Sequence, residues 1–182
     1  MQKETKKVLY SQIIKIIIMR KISSILFLML FAFMSCTETH DNVVISKNFT
    51  NHEWGRFEYL KGSLDIKKAP QEYDIIMEIV VDDIYPNPYE AYQTECFLPF
   101  NLTIKNPDDN GKRSKDYRFM LKDKDGNWKA EEKNGLYTFK LPVIEEMTFS
   151  EKGTYNFVIE NKYSKDPLYG IKSMTLKCIK SK

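Results

Sequence analysis

The sequence predicts an all-β protein: an antiparallel β-sandwich, jelly-roll or immunoglobulin-like, that follows an N-terminal lipoprotein signal peptide. Three observations predict the sandwich. Apolar and polar residues alternate with period two in six short segments, whose spacing predicts about seven or eight strands in all; turn-forming residues cluster between these segments, and no segment after the leader keeps a helical apolar stripe for three turns. We expect residues 48–182 to form this single domain.

Each alternating segment is typical of a strand with one buried face, because successive side chains of a strand point to opposite sides of the sheet. The inward positions are every second residue of Tyr73–Val81, Phe100–Ile104, Tyr117–Leu121, Tyr137–Leu141, Tyr155–Ile159 and Met174–Cys178. Turn chemistry separates them at Asn106–Gly111, Asp125–Asn127, Asn134–Gly135, Lys152–Gly153 and Asp166–Pro167.

Residues 1–35 have the layout of a secretory signal peptide. Arg20 and Lys21 precede an apolar run over residues 22–34, and a small residue, Ser35, follows it. As a helix this run would cover only ~20 Å, less than the ~30 Å hydrocarbon core of a bilayer. Because the leader is complete from Met19 onward, we expect translation to start there.

A cysteine directly after the cleavage site is the residue that becomes lipidated, so we expect Cys36 to be the first residue of the mature chain. Its thiol would carry diacylglycerol and its amine a further acyl chain such as palmitate. Several acyl chains, each worth about 0.8 kcal/mol per buried CH₂, anchor a protein to a membrane. Residues 36–47 would then be the lipidated cysteine and a flexible, polar tether.

The charge of the chain changes sign when the leader is removed. Six of the 28 basic residues and one of the 25 acidic residues precede Cys36, which leaves 22 basic and 24 acidic residues. A weakly acidic body with interspersed signs gives no electrostatic reason to bind nucleic acid.

Residues able to carry catalysis are sparse. The two histidines, His40 and His52, have no partner at metal-ligand or catalytic-triad spacing, and no Gly-x-Ser-x-Gly motif is present. The segment Asp123–Asn127 opens like a calcium loop but lacks the twelfth-position Glu, so we interpret it as a hairpin turn. We predict that the protein is not an enzyme and has no catalytic residue, metal or cofactor.

Two cysteines, Cys96 and Cys178, remain in the domain. Both have inward parity in their strands. A disulfide between them and a pair of buried free thiols both agree with the pattern in an exported protein.

The aromatic residues outside the clearest inward positions are the candidates for a ligand- or partner-binding surface, since exposed rings stack on sugars or anchor protein partners. These candidates are Trp54, Tyr85, Tyr89, Tyr92, Trp128 and Tyr169. Three of them lie in the proline-interrupted segment 83–92. A tryptophan in a small sandwich also commonly belongs to the core.

The order of several segments resembles the gliding-motility lipoprotein family GldH of Bacteroidetes. The matching features are Trp54, the strand end Val80–Asp82, Phe97–Leu102, Leu121–Trp128, Phe149 with Gly153–Phe157, and Asp166–Ile171. The chain departs from the family where Leu98-Pro99-Phe100 stands for Tyr-Pro-Tyr, and where Lys129-Ala130 follows the tryptophan in place of a glycine.

This resemblance implies a non-enzymatic lipoprotein of the cell envelope, anchored by Cys36, in the outer membrane, that interacts with other envelope proteins. In gliding relatives the implied setting is the motility machinery, which overlaps with type IX secretion. The alternative is a glycan-binding surface lipoprotein of a polysaccharide-uptake system. Glu38 and Asp41 agree loosely with the surface-export signal of Bacteroidetes lipoproteins.

Overall fold

The computed structural model describes residues 42–89 and 96–181, which form antiparallel sheets without a helix. Eleven strands are present in this part of the chain: β1 (Asn42–Asn48), β2 (Glu53–Trp54), β3 (Leu60–Ile66), β4 (Gln71–Asp82), β5 (Phe97–Lys105), β6 (Lys112–Met120), β7 (Glu132–Lys133), β8 (Leu136–Phe149), β9 (Gly153–Asn161), β10 (Leu168–Tyr169) and β11 (Ile171–Lys180). No helix in these residues is long and apolar enough to span a membrane.

Two sheets pack around one core. The five-stranded sheet has the order β1-β11-β4-β8-β7 and the four-stranded sheet the order β3-β9-β5-β6, while β2 and β10 form a short ribbon. Rings from the two sheets meet between them: the centroid of Phe149 in β8 lies 4.7 Å from that of Tyr155 in β9. The predicted antiparallel β-sandwich is confirmed.

Burial follows the alternation predicted for the long strands. In β4 the side chains of Ile75, Met77, Ile79 and Val81 are fully buried, and their intervening neighbours are not. The predicted inward residues of β5, β9 and β11 are buried in the same way. Tyr117 and Phe119 of the edge strand β6 are only partly buried.

The prediction that the tether extends to residue 47 is wrong, because β1 pairs with β11 from Asn42 onward. A register shift between Val43 and Ile45 turns the adjacent side chains of Val44 and Ile45 into the core. This bulge breaks the period of two that marks a strand in sequence. The predicted signal peptide and lipidated Cys36 lie outside the described residues.

Cys96 and Cys178 are both buried free thiols, so the disulfide alternative is wrong. Cys178 pairs with Ile75 near the start of β4, while the Cys96 sulfur lies 4.0 Å from the carbonyl oxygen of Tyr85, beyond the end of β4. The part of β4 that separates the two thiols runs from Ile75 to the strand end at Asp82, and at about 3.3 Å per residue it is ~23 Å long. A disulfide requires Cα atoms within about 7 Å.

The two ends of the sandwich differ in the connections they carry. At one end tight turns over residues 67–70, 106–111 and 150–152 join the strands, and β1 begins there, with Asn42 opposite Cys178. The connections around residues 49–59, 83–89, 121–135 and 162–170 lie at the other end. We call the first the turn end and the second the loop end.

Candidate functional site

Every predicted surface aromatic that the structure describes lies at the loop end. Tyr89 is 93% exposed, Trp128 and Tyr169 are partly buried, and Trp54 and Tyr85 are fully buried. Tyr92 lies outside the described residues. Chain topology therefore brings these residues to one end, although they come from four separate connections.

Trp54 and Tyr85 cannot contact a ligand in this arrangement, so their assignment to the surface is wrong. The Trp54 Nε1–H donates to the carbonyl oxygen of Glu58 at 2.8 Å, and the Tyr85 hydroxyl donates to the carbonyl oxygen of Phe97 at 3.0 Å. Aromatic rings with a polar group are readily buried when that group has a partner. Burial raises the pKa of Tyr85 well above its usual range.

Tyr89 lies on a turn that is held by the buried side chain of Asn87. The Asn87 Oδ1 accepts the Tyr89 N–H at 2.9 Å, and Asn87 itself is 8% exposed. The preceding residues are held because the Tyr169 N–H donates to the carbonyl oxygen of Pro86 at 3.0 Å. The backbone that carries the exposed Tyr89 ring is thus fixed against the β2–β10 ribbon.

Trp128 sits on a hairpin formed after β6. The Trp128 ring stacks on the Tyr137 ring, with centroids 4.5 Å apart. The Lys122 ammonium lies 4.5 Å from the centroid of the Trp128 ring. The Asp123 Oδ1 accepts the N–H groups of Asp125 and Asn127, both at 2.9 Å, and these bonds lower the pKa of Asp123. Segment 123–127 is accordingly a hydrogen-bonded turn, as predicted, with Gly126 at φ 83°.

The most exposed rings at the loop end include two that sequence reasoning missed, Phe57 and Tyr59, which are 77% and 47% exposed. They lie in the connection between β2 and β3 and line a groove of about 330 Å³ together with Arg56 and residues 160–164. The sequence feature that could have indicated these exposed rings is the segment Arg56-Phe57-Glu58-Tyr59, in which aromatic and charged residues alternate outside any apolar strand pattern.

Polar contacts, two of them buried, fix both walls of this groove. The Asn161 side chain, 3% exposed, donates from Nδ2 to the Trp54 carbonyl oxygen and accepts the Tyr163 N–H at Oδ1, both at 2.8 Å. The Arg56 guanidinium donates to the carbonyl oxygen of Tyr163 at 3.1 Å, and the Arg56 N–H donates to Asp166 Oδ1 at 2.8 Å. Phe57 and Tyr59 are therefore displayed on a preorganised support.

One histidine has a partner that the sequence did not reveal. His52 Nδ1 lies 3.3 Å from Asp82 Oδ2, and Asp82 Oδ1 accepts the Ile84 N–H at 3.2 Å. No group of three or more His, Cys, Asp or Glu side chains that could hold a metal ion occurs among the residues described.

These features define a small β-sandwich with its exposed rings gathered at the end opposite to the one where the domain begins. The sequence profile of the GldH lipoproteins matches residues 43–178, and the chain belongs to this family. Membership makes it a GldH-like lipoprotein of the cell envelope. A search of curated protein sequences found no match.

Two of the solved structures that match show only distant likeness. The chain is similar to part of BtGH115A, a 4-O-methyl-α-glucuronidase with specificity for decorated arabinogalactans (11% identity, TM-score 0.38, 75% of this chain and 16% of that chain). It is also similar to part of lmo2446, an uncharacterized protein from Listeria monocytogenes EGD-e (10% identity, TM-score 0.27, 78% of this chain and 11% of that chain). The chain thus spans less than a fifth of either protein.

Proposed function

We propose that this chain is a non-enzymatic lipoprotein, anchored in the outer membrane through Cys36, that presents its loop end to other proteins of the cell envelope. By its family, the proposed setting in gliding relatives is the motility and type IX secretion machinery. The observation that carries the proposal is the placement of Phe57, Tyr59 and Tyr89 at the end remote from the start of β1.

Chain length makes this arrangement suitable for an anchored protein. Six residues lead from Cys36 to Asn42, a distance of at most ~21 Å. The longer strands then carry the chain about 30 Å from the turn end to the loop end. Anchoring raises the effective concentration of even a weak partner site. Exposed rings on a rigid support bind partners at low entropic cost.

Site-specific photo-cross-linking in cells tests the proposed surface. A photoreactive residue at Phe57 or Tyr89 is expected to capture envelope proteins, and the same residue at Lys68 or Asn110 on the turn end is the matched control. Capture from the turn end but not from the loop end would contradict the proposal, and so would the absence of capture from all four positions.

Glycan binding is the second candidate, favoured by the groove beside Phe57 and Tyr59. The burial of Trp54 and Tyr85 removes two of the rings first expected to stack on sugars. Titration of the purified protein with an oligosaccharide panel, followed by tryptophan fluorescence, tests it. Saturable quenching that Tyr59→Ala abolishes would support glycan binding, whereas a flat titration would reject it.

A further inference from the structure

Strand β6 is a regular strand whose outer edge is open. It pairs with β5 over nine consecutive residues without a register shift, and it lies at the edge of the four-stranded sheet. No other strand of the described residues pairs with it. An edge of this kind exposes unpaired N–H and C=O groups that accept a further strand.

The other sheet edges are obstructed. Strands β1 and β3 lie so close together that a Cβ atom on Gly62 would overlap the carbonyl oxygen of Val44. Strand β7 covers only Leu136 and Tyr137 of strand β8, and the rest of β8 contains Pro142, two register shifts against β4, and Glu146 at φ 51°. Proline, bulges and charged side chains, lysine above all, are the usual means of protecting an edge strand. Strand β6 has neither proline nor a bulge, and its protection is charge alone, which disfavours a like-charged strand but not an acidic one.

Side chains along β6 are strongly basic within a weakly acidic protein. It carries four cations, Lys112, Arg113, Lys115 and Arg118, and one acid, Asp116. None of the four forms an ion pair within residues 42–89 and 96–181. The Asp116 carboxylate accepts a hydrogen bond from Asn101 Nδ2 at 2.7 Å.

Aromatic rings hold two of these cations along the strand. The Arg118 guanidinium carbon lies 3.5 Å from the centroid of Phe97, and Lys115 Nζ lies 5.1 Å from that of Tyr117. By the alternation of the strand, Arg113 and Lys115 belong to one face of the sheet, and Lys112 and Arg118 to the other. Both faces of an added strand would therefore meet positive charge.

We propose that β6 binds an extended acidic segment of a partner protein, which adds to the four-stranded sheet as a fifth strand. Charge complementarity selects this occupant. A second copy paired in antiparallel register about Lys115 would place Lys115 opposite Lys115 and Lys112 opposite Arg118, and like charges in opposition are destabilising. The site is separate from the loop end, so either proposal can fail alone.

Hydrogen exchange of the purified, detergent-solubilised protein with model peptides tests the proposal. The probe is an acetylated nine-residue peptide of alternating Thr and Glu. We expect it to slow exchange of amides within residues 112–120 at least threefold and to leave those of β3 unchanged. A Thr-Lys peptide of the same length controls for charge, and a Pro-Glu peptide, which keeps the charge but lacks alternate N–H donors, controls for strand pairing.

Variants then assign the effect to the charges of β6. Lys115→Glu, and the triple change Arg113→Glu, Lys115→Glu and Arg118→Glu, should abolish protection by the Thr-Glu peptide. Lys61→Glu on strand β3 should not. The single variant keeps the test valid if the triple variant fails to fold.

Several results would overturn the proposal. They are equal protection by the Thr-Glu and Thr-Lys peptides, equal protection by the Pro-Glu peptide, protection that survives Lys115→Glu, and no protection by any peptide. A protein that is dimeric, with the amides of β6 protected before any peptide is added, would show that a second copy occupies the edge instead.

Discussion

The backbone of Val44 occupies the position from which a side chain on Gly62 would extend, since a Cβ atom on Gly62 would overlap the Val44 carbonyl oxygen. This close approach joins β1 of one sheet to β3 of the other. It closes one side of the sandwich, whereas β6 leaves the opposite side open.

Replacing Gly62 with alanine should therefore destabilise the domain. Two backbones would have to separate, and overpacking of this kind costs about 1–3 kcal/mol. Urea denaturation followed by circular dichroism measures the change in unfolding free energy. Gly55→Ala is the matched control, because a Cβ there has no atom within 4 Å, and it should change stability by less than about 0.5 kcal/mol. Equal stability of the two variants would refute the close approach.

Asn161→Ala should destabilise the loop end, because it leaves the Trp54 carbonyl oxygen and the Tyr163 N–H without their partner. Unsatisfied buried groups cost about 1–3 kcal/mol each. Hydrogen exchange should accelerate at Tyr163 more than in β4. The exposed Asn51, changed to alanine, serves as the control. Wild-type exchange at Tyr163 in the Asn161 variant would show that this contact does not hold the groove.

Both domain thiols should be unreactive in the folded protein and free in the unfolded one. Burial raises the pKa of Cys96 and of Cys178 to about 12, so little thiolate is present at pH 8. Mass spectrometry after iodoacetamide treatment should find neither residue modified under native conditions and both modified in denaturant without reductant. An unmodified pair in denaturant would indicate the disulfide that the structure excludes.

The same burial predicts a loss of stability in alkali. The pKa of a thiol in the unfolded chain is ~8.5, well below its pKa in the folded protein. The protonated thiols therefore stabilise the fold fully below pH ~8.5, and this stabilisation is lost as the pH rises towards 12. Each contributes a loss of up to about 1.4 kcal/mol per pH unit. Denaturation midpoints at pH 7.5 and 10 should differ less for Cys178→Ala than for the wild type. An identical pH dependence would contradict the buried, protonated state of Cys178.

The long strands could be predicted from sequence because each buries alternate residues on one face, as Ile75, Met77 and Ile79 do in β4. Strands β1 and β3 could not. The bulge in β1 buries Val44 and Ile45 side by side, and in β3 the inward position between Leu60 and Leu64 is Gly62. Tertiary contact between these two strands, not local preference, explains both departures.

The candidate site was only partly predictable for a different reason. Trp54 and Tyr85 lie outside the periodic strands, so only the folded chain shows that each ring is buried with a carbonyl partner. The exposed rings of Phe57 and Tyr59 come from a short connection without periodicity. Their shared location depends on strand order, which sequence pattern does not determine.

In-cell cross-linking of a C-terminally tagged copy, followed by mass spectrometry of the captured membrane proteins, tests the central claim most directly. We predict capture of motility or type IX secretion components, with loss of that capture in a Cys36→Ala variant that no longer carries the anchor. Capture of glycan-uptake porins and their binding lipoproteins instead, or the same capture with and without Cys36, would contradict the account.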